Sequence, residues 1–77
     1  MSEETLVWIV RGLVDEPDAV RVETEERDDA VVLQLHVAKD DVGKVIGRQG
    51  RIARALRQLV RAHSGSERKR MLLEITD

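Results

Sequence analysis

Residues 19–38 alternate between apolar and polar side chains, and this pattern constrains the fold of the 77-residue chain more than any other feature. The alternation from Ala19 to Glu26 is typical of a half-buried strand, whose inner face would hold Val20, Val22 and Thr24. A second strand is predicted from Ala30 to Ala38. Its buried face would consist of Val31, Leu33, Leu35 and Val37, and its other face of Val32, Gln34 and His36. The short charged turn Arg27-Asp28-Asp29 makes the pair an antiparallel hairpin.

The segment before the hairpin carries apolar residues at the spacing of one helix face. These residues are Leu6, Ile9, Val10, Leu13 and Val14. Ser2 is the predicted N-cap. The helix should end before Pro17, because the residue preceding a proline avoids the α region.

After the hairpin, Asp40 or Asp41 can cap a short helix that begins near Val42 and must end at Gly47. A longer helix is predicted from about Gly50 to His63, with Ser64-Gly65-Ser66 as its end. Alternation of Met71, Leu73 and Ile75 predicts a last strand. The order is therefore α-β-β-α-α-β, in a single α+β domain that spans residues 1–77.

Composition excludes several classes of protein. Without cysteine, the chain can form neither a disulfide scaffold nor a cysteine-based zinc site. One Trp and no Phe or Tyr exclude RNA-binding folds that stack bases on aromatic platforms. No apolar run approaches the roughly 18 residues of a membrane span, and the acidic start MSEETL is unlike a targeting signal. We therefore expect a soluble, cytoplasmic protein.

The net charge of −2 is divided unevenly along the chain. Residues 1–41 hold 12 acidic and 4 basic residues, a net charge of −8, whereas residues 42–77 hold 3 acidic and 9 basic residues, a net charge of +6. Such asymmetry indicates either a nucleic-acid or membrane-surface partner for the basic half, or an unevenly charged solvated surface.

Glycines beside basic residues mark the segment from Gly43 to Arg51. Backbone N–H groups at a helix start attract anions, and glycine permits close approach. The spacing of Gly43, Gly47 and Gly50 fits neither the nucleotide-triphosphate loop nor the dinucleotide fingerprint. What is left is helix–Gly-x-x-Gly–helix with Arg48 and Gln49 between the glycines. A tight turn between helices is the alternative that involves no ligand.

The motif Val45-Ile46-Gly47-Arg48-Gln49-Gly50 resembles the signature of the KH domain, a single-stranded nucleic-acid binder. The order of elements fits a type-II-like KH fold, which implies a three-stranded sheet with helices on one face. Leu13-Val14-Asp15-Glu16-Pro17, residues 43–53 and Glu74-Ile75 resemble the small stand-alone proteins of the KhpA (YlqC) family. Ala53 departs from the general pattern, which has a bulky aliphatic residue at that position.

The resemblance implies that the loop grips about four nucleotides. The Gly47–Gly50 backbone would approach the sugar-phosphate strand, and Lys44, Arg48 and Arg51 would neutralise phosphates. Ile46, with Leu35 or Val37, would form the floor of an apolar groove for bases. The candidate RNA-binding residues are Lys44, Ile46, Gly47, Arg48, Gln49, Gly50, Arg51 and Arg54.

The helix after the loop has two faces. An apolar arc holds Ile52, Ala55, Leu56, Leu59 and Val60, and the opposite arc holds Arg54, Arg57 and Arg61 with Arg51 at its edge. We expect Arg51 and Arg54, nearest the loop, to contact RNA. For Arg57 and Arg61, RNA contact and a solvated helix face are both open. Arg68-Lys69-Arg70 is interpreted as a solvated entry to the last strand.

Trp8 lies off the apolar face of the first helix and is a candidate interface residue; the alternative is a Trp that covers the edge of the sheet. KhpA-like proteins self-associate or pair with a Jag/KhpB-like KH protein, so the resemblance implies a homodimer or heterodimer. His36 and His63 do not have metal-ligand spacing, and the acidic stretch 23–29 is interpreted as a solvated hairpin. We expect no metal, no cofactor and no enzymatic activity.

The predicted function is single-stranded RNA binding, as a small RNA chaperone or post-transcriptional regulator. The alternative is a scaffold subunit of a KH-protein complex in which the partner contacts RNA.

Overall fold

The computed structural model describes residues 3–63 and 70–77. The predicted N-cap Ser2, the predicted helix end at 64–66, and Arg68 and Lys69 lie outside these residues, as does the side chain of His63. Within them the chain forms three α-helices and three strands in the predicted order α-β-β-α-α-β. Their bounds are α1 Glu3–Arg11, β1 Arg21–Glu26, β2 Ala30–His36, α2 Val42–Ile46, α3 Arg51–His63 and β3 Arg70–Thr76.

The three strands form one mixed sheet in the order β1-β2-β3, with β2 in the centre. β1 pairs antiparallel with β2, so that Arg21 lies opposite His36 and Glu26 opposite Val31. The N–H of Arg27 donates a hydrogen bond of 2.8 Å to the carbonyl of Ala30, and this bond closes the predicted hairpin turn. β3 pairs in parallel with β2, from Ala30–Arg70 to His36–Thr76. Parallel neighbours require a crossover, and α2, the glycine loop and α3 supply it.

The core lies between one face of the sheet and the helices. All three helices and all three strands contribute buried or partly buried apolar side chains to it. The buried members are Leu6, Val10, Val20, Leu33, Leu35, Val37, Val45, Leu56, Val60 and Leu73. The prediction of an α+β fold with helices on one face of a three-stranded sheet is confirmed.

The first helix and the first strand are both shorter than predicted. α1 ends at Arg11, and two turn bonds follow it, from Gly12 N–H to the Ile9 carbonyl and from Leu13 N–H to the Val10 carbonyl. Gly12 has little helix propensity, so the helix stops there and Leu13 is exposed. β1 begins at Arg21 rather than Ala19, and Thr24, predicted to face inward, is exposed on this edge strand.

The second strand ends at His36 rather than Ala38, and its burial differs from simple alternation. Val32 was assigned to the outer face, yet it is fully buried. It occupies the central strand between Glu25 of β1 and Leu72 of β3, whose side chains lie on the same face. Val31, assigned to the buried face, is only partly buried.

Within residues 3–63 and 70–77, no helix has the length and apolar character that crossing a membrane would require.

Candidate nucleic-acid interface

The loop between α2 and α3 contains three residues with positive φ. Gly47 has φ 76° and ψ 172°, Gln49 has φ 56° and ψ 24°, and Gly50 has φ 74°. Positive φ is cheap for glycine and unfavourable for other residues. The two glycines therefore let the chain leave α2, reverse and enter α3 within four residues, as the Gly-x-x-Gly spacing predicts.

Gly47 is also fixed by a neighbour in space. A Cβ placed on Gly47 would lie 2.7 Å from Cγ1 of Ile52 and 3.0 Å from its Cβ. The side chain of Ile52 thus packs directly against the loop backbone. Gly50 has open space where a Cβ would stand, so its requirement for glycine is conformational alone. Gly43, inside α2, has neither constraint within the chain.

Arg54 holds the loop from the first turns of α3. Its guanidinium donates a hydrogen bond of 2.9 Å to the backbone carbonyl of Gln49. The bond secures the one non-glycine residue with positive φ among the described residues. Arg54 therefore both presents charge near the loop and supports the loop backbone, a second role that the sequence pattern did not predict.

The remaining candidate side chains at the loop are exposed. Ile46, at the end of α2, leaves 38% of its surface in solvent. Arg48, Gln49 and Arg51 are exposed beside it. Leu35 and Val37, the expected companions of Ile46 in an apolar groove, are buried in the core and offer no surface to a base. Of the predicted groove, the structure retains Ile46.

Lys44 lies on α2, one turn before Gly47, and its ammonium forms an ion pair with Asp15. The same ammonium lies 3.7 Å from Oδ1 of Asp41. The hydrogen bond to Asp15 raises the pKa of Lys44, and the charge of Asp41 raises it further. Lys44 is consequently protonated at neutral pH, and its ammonium lies beside two carboxylates.

Asp41 precedes α2 but does not cap it. No side-chain cap bond is made at this position. The carboxylate instead accepts the N–H of Asp15 at 3.2 Å and the N–H of Glu16 at 3.0 Å. Its side chain is almost completely buried, because it satisfies two backbone donors of the connection between α1 and β1. Sequence reasoning missed this contact, which joins residues 25 and 26 positions apart.

The basic stripe on α3 is present. Arg51, Arg54, Arg57 and Arg61 are all exposed. The apolar face of the helix is rotated relative to the prediction. Leu56 and Val60 are buried and Ala53 joins them, whereas Ala55 and Leu59 are exposed. Ala53, which the sequence placed outside the apolar arc, is thus part of the buried face.

A second exposed surface lies on α1, away from the loop residues in sequence. Trp8 exposes 77% of its surface, as its position off the apolar face predicts. With Val7 and Val22 it borders a groove of about 390 Å³ that is flanked by Glu3, Glu4 and Arg11.

Comparison with known proteins identifies this architecture. A family model described as KhpA/KhpB, KH domain, matches residues 3–75. The chain belongs to this family. It is 49% identical over 77 residues to the RNA-binding protein KhpA of Treponema pallidum (strain Nichols), covering 100% of this chain and 96% of that protein. It is 48% identical over 75 residues to RNA-binding protein KhpA of Bacillus subtilis (strain 168), covering 97% of this chain and 93% of the relative.

A third KhpA, the RNA-binding protein of that name from Caldanaerobacter subterraneus subsp. tengcongensis, is 47% identical over 72 residues, covering 94% of this chain and 96% of the relative. The predicted resemblance to the KhpA family is thus confirmed over nearly the whole chain.

The histidine and acidic clusters contribute no further site. His36 is half-buried, with Nε2 3.9 Å from Glu23. Among the described residues, no group of three or more His, Asp or Glu side chains comes together in a way that could hold a metal ion. The acidic hairpin instead forms ion pairs with basic side chains, such as Arg27 with Glu25 at 3.3 Å.

Proposed function

We propose that this chain is a single-stranded RNA-binding protein that acts as one KH domain and uses the Gly47–Gly50 loop to hold the RNA backbone. One observation carries the proposal: in a family whose relatives are named RNA-binding proteins, two glycines of positive φ present Arg48 and Gln49 at an exposed turn. A KH loop of this kind clamps about four nucleotides.

Each candidate residue has a distinct part in the proposed interface. Arg48, within the turn, and Arg51, directly after it, are exposed and would bind phosphates. Arg54 would add charge while it supports the Gln49 carbonyl. Ile46 offers an apolar surface to a base. Because no aromatic platform stands beside it, bases gain little stacking energy and affinity for a single domain should be modest.

The proposed cellular role is that of a small RNA chaperone or post-transcriptional regulator in the cytoplasm. A grip on backbone with little base stacking favours many weak contacts with unpaired RNA over one tightly read sequence. Such a role requires no catalytic group and no cofactor, so the chain is proposed to bind and not to catalyse.

Self-association would strengthen such binding, because two domains on one strand gain avidity. The exposed face of α1 supports a homodimer. Glu4, Val7, Trp8 and Arg11 follow the spacing of one helix face, with opposite charges at its two ends. An antiparallel second copy would place each Glu4 beside the other Arg11, around the two Trp8 side chains. A heterodimer with a KhpB-like KH protein is the other partner that the family name suggests.

The loop assignment is tested by Arg48→Asp combined with Gln49→Asp. This variant should abolish binding to a pool of labelled random-sequence single-stranded RNA, measured by fluorescence anisotropy, because it places two negative charges where a phosphate must approach. The matched control is Ala19→Asp combined with Arg21→Asp, which makes the same change of net charge at exposed positions before and in β1. Equal affinities of the two variants would refute the loop assignment.

The alternative function is a scaffold subunit whose partner contacts RNA. The exposed Trp8 surface is the observation that favours it. Crosslinking in cells followed by RNA recovery separates the two functions: an RNA-binding protein yields RNA that the loop variant loses, whereas a scaffold yields none and its loop variant still binds its partner.

A further inference from the structure

Lys44 differs from the other cations of the proposed interface. Among Lys44, Arg48, Arg51 and Arg54, only Lys44 is ion-paired with a carboxylate of the described residues. It also lies close to the loop in sequence, three residues before Gly47. A phosphate that reaches Lys44 therefore meets an ammonium that already has a partner.

The partner is held in place by the fold. Asp15 belongs to the connection between α1 and β1, which also contains a short 3₁₀ helix at Pro17–Ala19. The buried carboxylate of Asp41 ties this connection to the start of α2, because it accepts the N–H of Asp15 at 3.2 Å and that of Glu16 at 3.0 Å. Asp41 directly precedes α2, so the Asp15 side chain stays within reach of Lys44.

We propose that Asp15 competes with an RNA phosphate for Lys44 and so lowers the affinity of the chain for RNA, with Asp41 as the positioning residue for this competition. The inference rests on the proposed RNA-binding function. Lys44 is therefore not a free phosphate ligand in the wild-type protein. Its ion pair with Asp15 must break or weaken before the ammonium binds an RNA phosphate.

The size of the effect follows from the exposure of the pair. Asp15 exposes 76% of its side chain and Lys44 exposes 45%. Exposed ion pairs contribute about 0.2–1 kcal/mol, which corresponds to about 1.5- to 5-fold in an equilibrium constant. Removing the Asp15 charge should raise RNA affinity by that factor at low salt.

The experiment compares Asp15→Asn with Asp18→Asn by anisotropy of the random-sequence RNA pool. Asp18 lies three residues further along, is exposed and belongs to no ion pair with a described residue, so its variant reports the general effect of losing one negative charge. We expect Asp15→Asn to bind RNA about 1.5- to 5-fold more tightly than Asp18→Asn. In a Lys44→Met background the two asparagine variants should have equal affinity.

The salt dependence of RNA binding distinguishes competition from a structural role of Asp15, because a structural role would leave the slope of log K against log salt unchanged. Each phosphate neutralised on a single strand contributes about −0.7 to the slope of log K against log salt. Release of Lys44 from Asp15 should steepen the slope by up to that amount in Asp15→Asn, whereas Asp18→Asn should leave the slope unchanged.

The outcomes separate this inference from the proposed function. If wild-type protein binds RNA and the loop variant does not, but Asp15→Asn equals Asp18→Asn, the competition is refuted and the RNA-binding function stands. An affinity gain for Asp15→Asn that persists in the Lys44→Met background also refutes it. If the loop variant binds RNA as tightly as the wild type does, the proposed binding of RNA by the Gly47–Gly50 loop is refuted.

Discussion

The Arg54 guanidinium donates a 2.9 Å hydrogen bond to the carbonyl of Gln49, five residues earlier in the chain. It thereby ties the first turns of α3 to the residue whose φ is 56°. A cation of the proposed interface is thus also a support for the loop that it serves.

We predict that Arg54→Met weakens RNA binding more than Arg57→Met does. Both variants remove one exposed positive charge from α3, but only the first removes the bond to Gln49. A hydrogen bond contributes about 0.5–1.5 kcal/mol, so the difference in affinity should be about 2- to 12-fold. Anisotropy titrations at one salt concentration measure it, and equal losses would show that Arg54 acts through charge alone.

Gly47→Ala should destabilise the domain. It combines an unfavourable φ with a Cβ 2.7 Å from Cγ1 of Ile52, and strain and overpacking each cost about 1–3 kcal/mol. Gly43→Ala is the control, because Gly43 is helical with open space around a Cβ and alanine there should be neutral or stabilising by up to about 1 kcal/mol. Urea denaturation measures both free energies of unfolding. Adding Ile52→Val should recover part of the Gly47→Ala loss, and similar stabilities for the two alanine variants would contradict the packing of Ile52 against the loop.

Asp41→Asn should cost about 1–3 kcal/mol in the free energy of unfolding. Its carboxylate accepts two backbone N–H groups in a buried position, and an amide would turn an NH₂ group toward one of those donors. Asp40→Asn, at the exposed neighbouring position, should change stability by no more than about 0.5 kcal/mol. Thermal or chemical denaturation of the two variants measures the change in the free energy of unfolding. If Asp41 only caps the helix or lies at the surface, both variants should show a small and similar change.

The affinity for RNA should fall steeply with salt. If three to five phosphates contact the basic side chains, the slope of log K against log salt should lie near −2 to −3.5, at about −0.7 per phosphate. Titrations at a series of KCl concentrations give the slope. A slope near zero would remove the basic stripe of α3 from the interface.

Trp8 is the only tryptophan in the sequence and reports directly on the proposed α1 interface. Its emission should shift to the blue as protein concentration rises, because a second copy would cover a ring that is 77% exposed. Glu4→Arg and Arg11→Glu should each weaken self-association, and a mixture of the two variants should associate again, because the charges then complement one another.

Sedimentation equilibrium is the independent measurement, with Leu59→Arg as the control. Leu59 is a second exposed apolar side chain, on α3. A dimer that Leu59→Arg dissociates while the α1 variants leave it intact would place the interface elsewhere.

The parts of the fold that could be predicted are those determined by patterns among residues close together in sequence. Alternation identified the hairpin, and the Gly47 and Gly50 spacing identified the loop between two helices. Contacts between distant segments were not predictable in this way. The bonds from Asp15 and Glu16 to Asp41 join two connections, and local sequence suggested only a helix cap.

The burial pattern failed where neighbours in space decide it. Val32 is fully buried although alternation assigns it outward, and its neighbours on the adjacent strands are Glu25 and Leu72. Leu59 is exposed although its spacing fits the apolar arc, whereas Ala53, outside that arc, is buried. In the candidate interface, the residue types could be predicted from the sequence. The ion pair of Lys44 with Asp15 joins distant segments, and the bond from Arg54 depends on the backbone of the loop, so neither could be predicted from a local pattern.

The packing of Ile52 against Gly47 has a consequence for the thermodynamics of binding. Because a side chain at the base of α3 fills the space beneath the loop, the loop acquires its shape when the domain folds and not when a ligand arrives. The conformational entropy of the turn is lost during folding, so RNA need not order the backbone that it meets. An interface with little base stacking can then still bind RNA. Substitutions of Ile52 should change the entropy of RNA binding through their effect on the order of the loop.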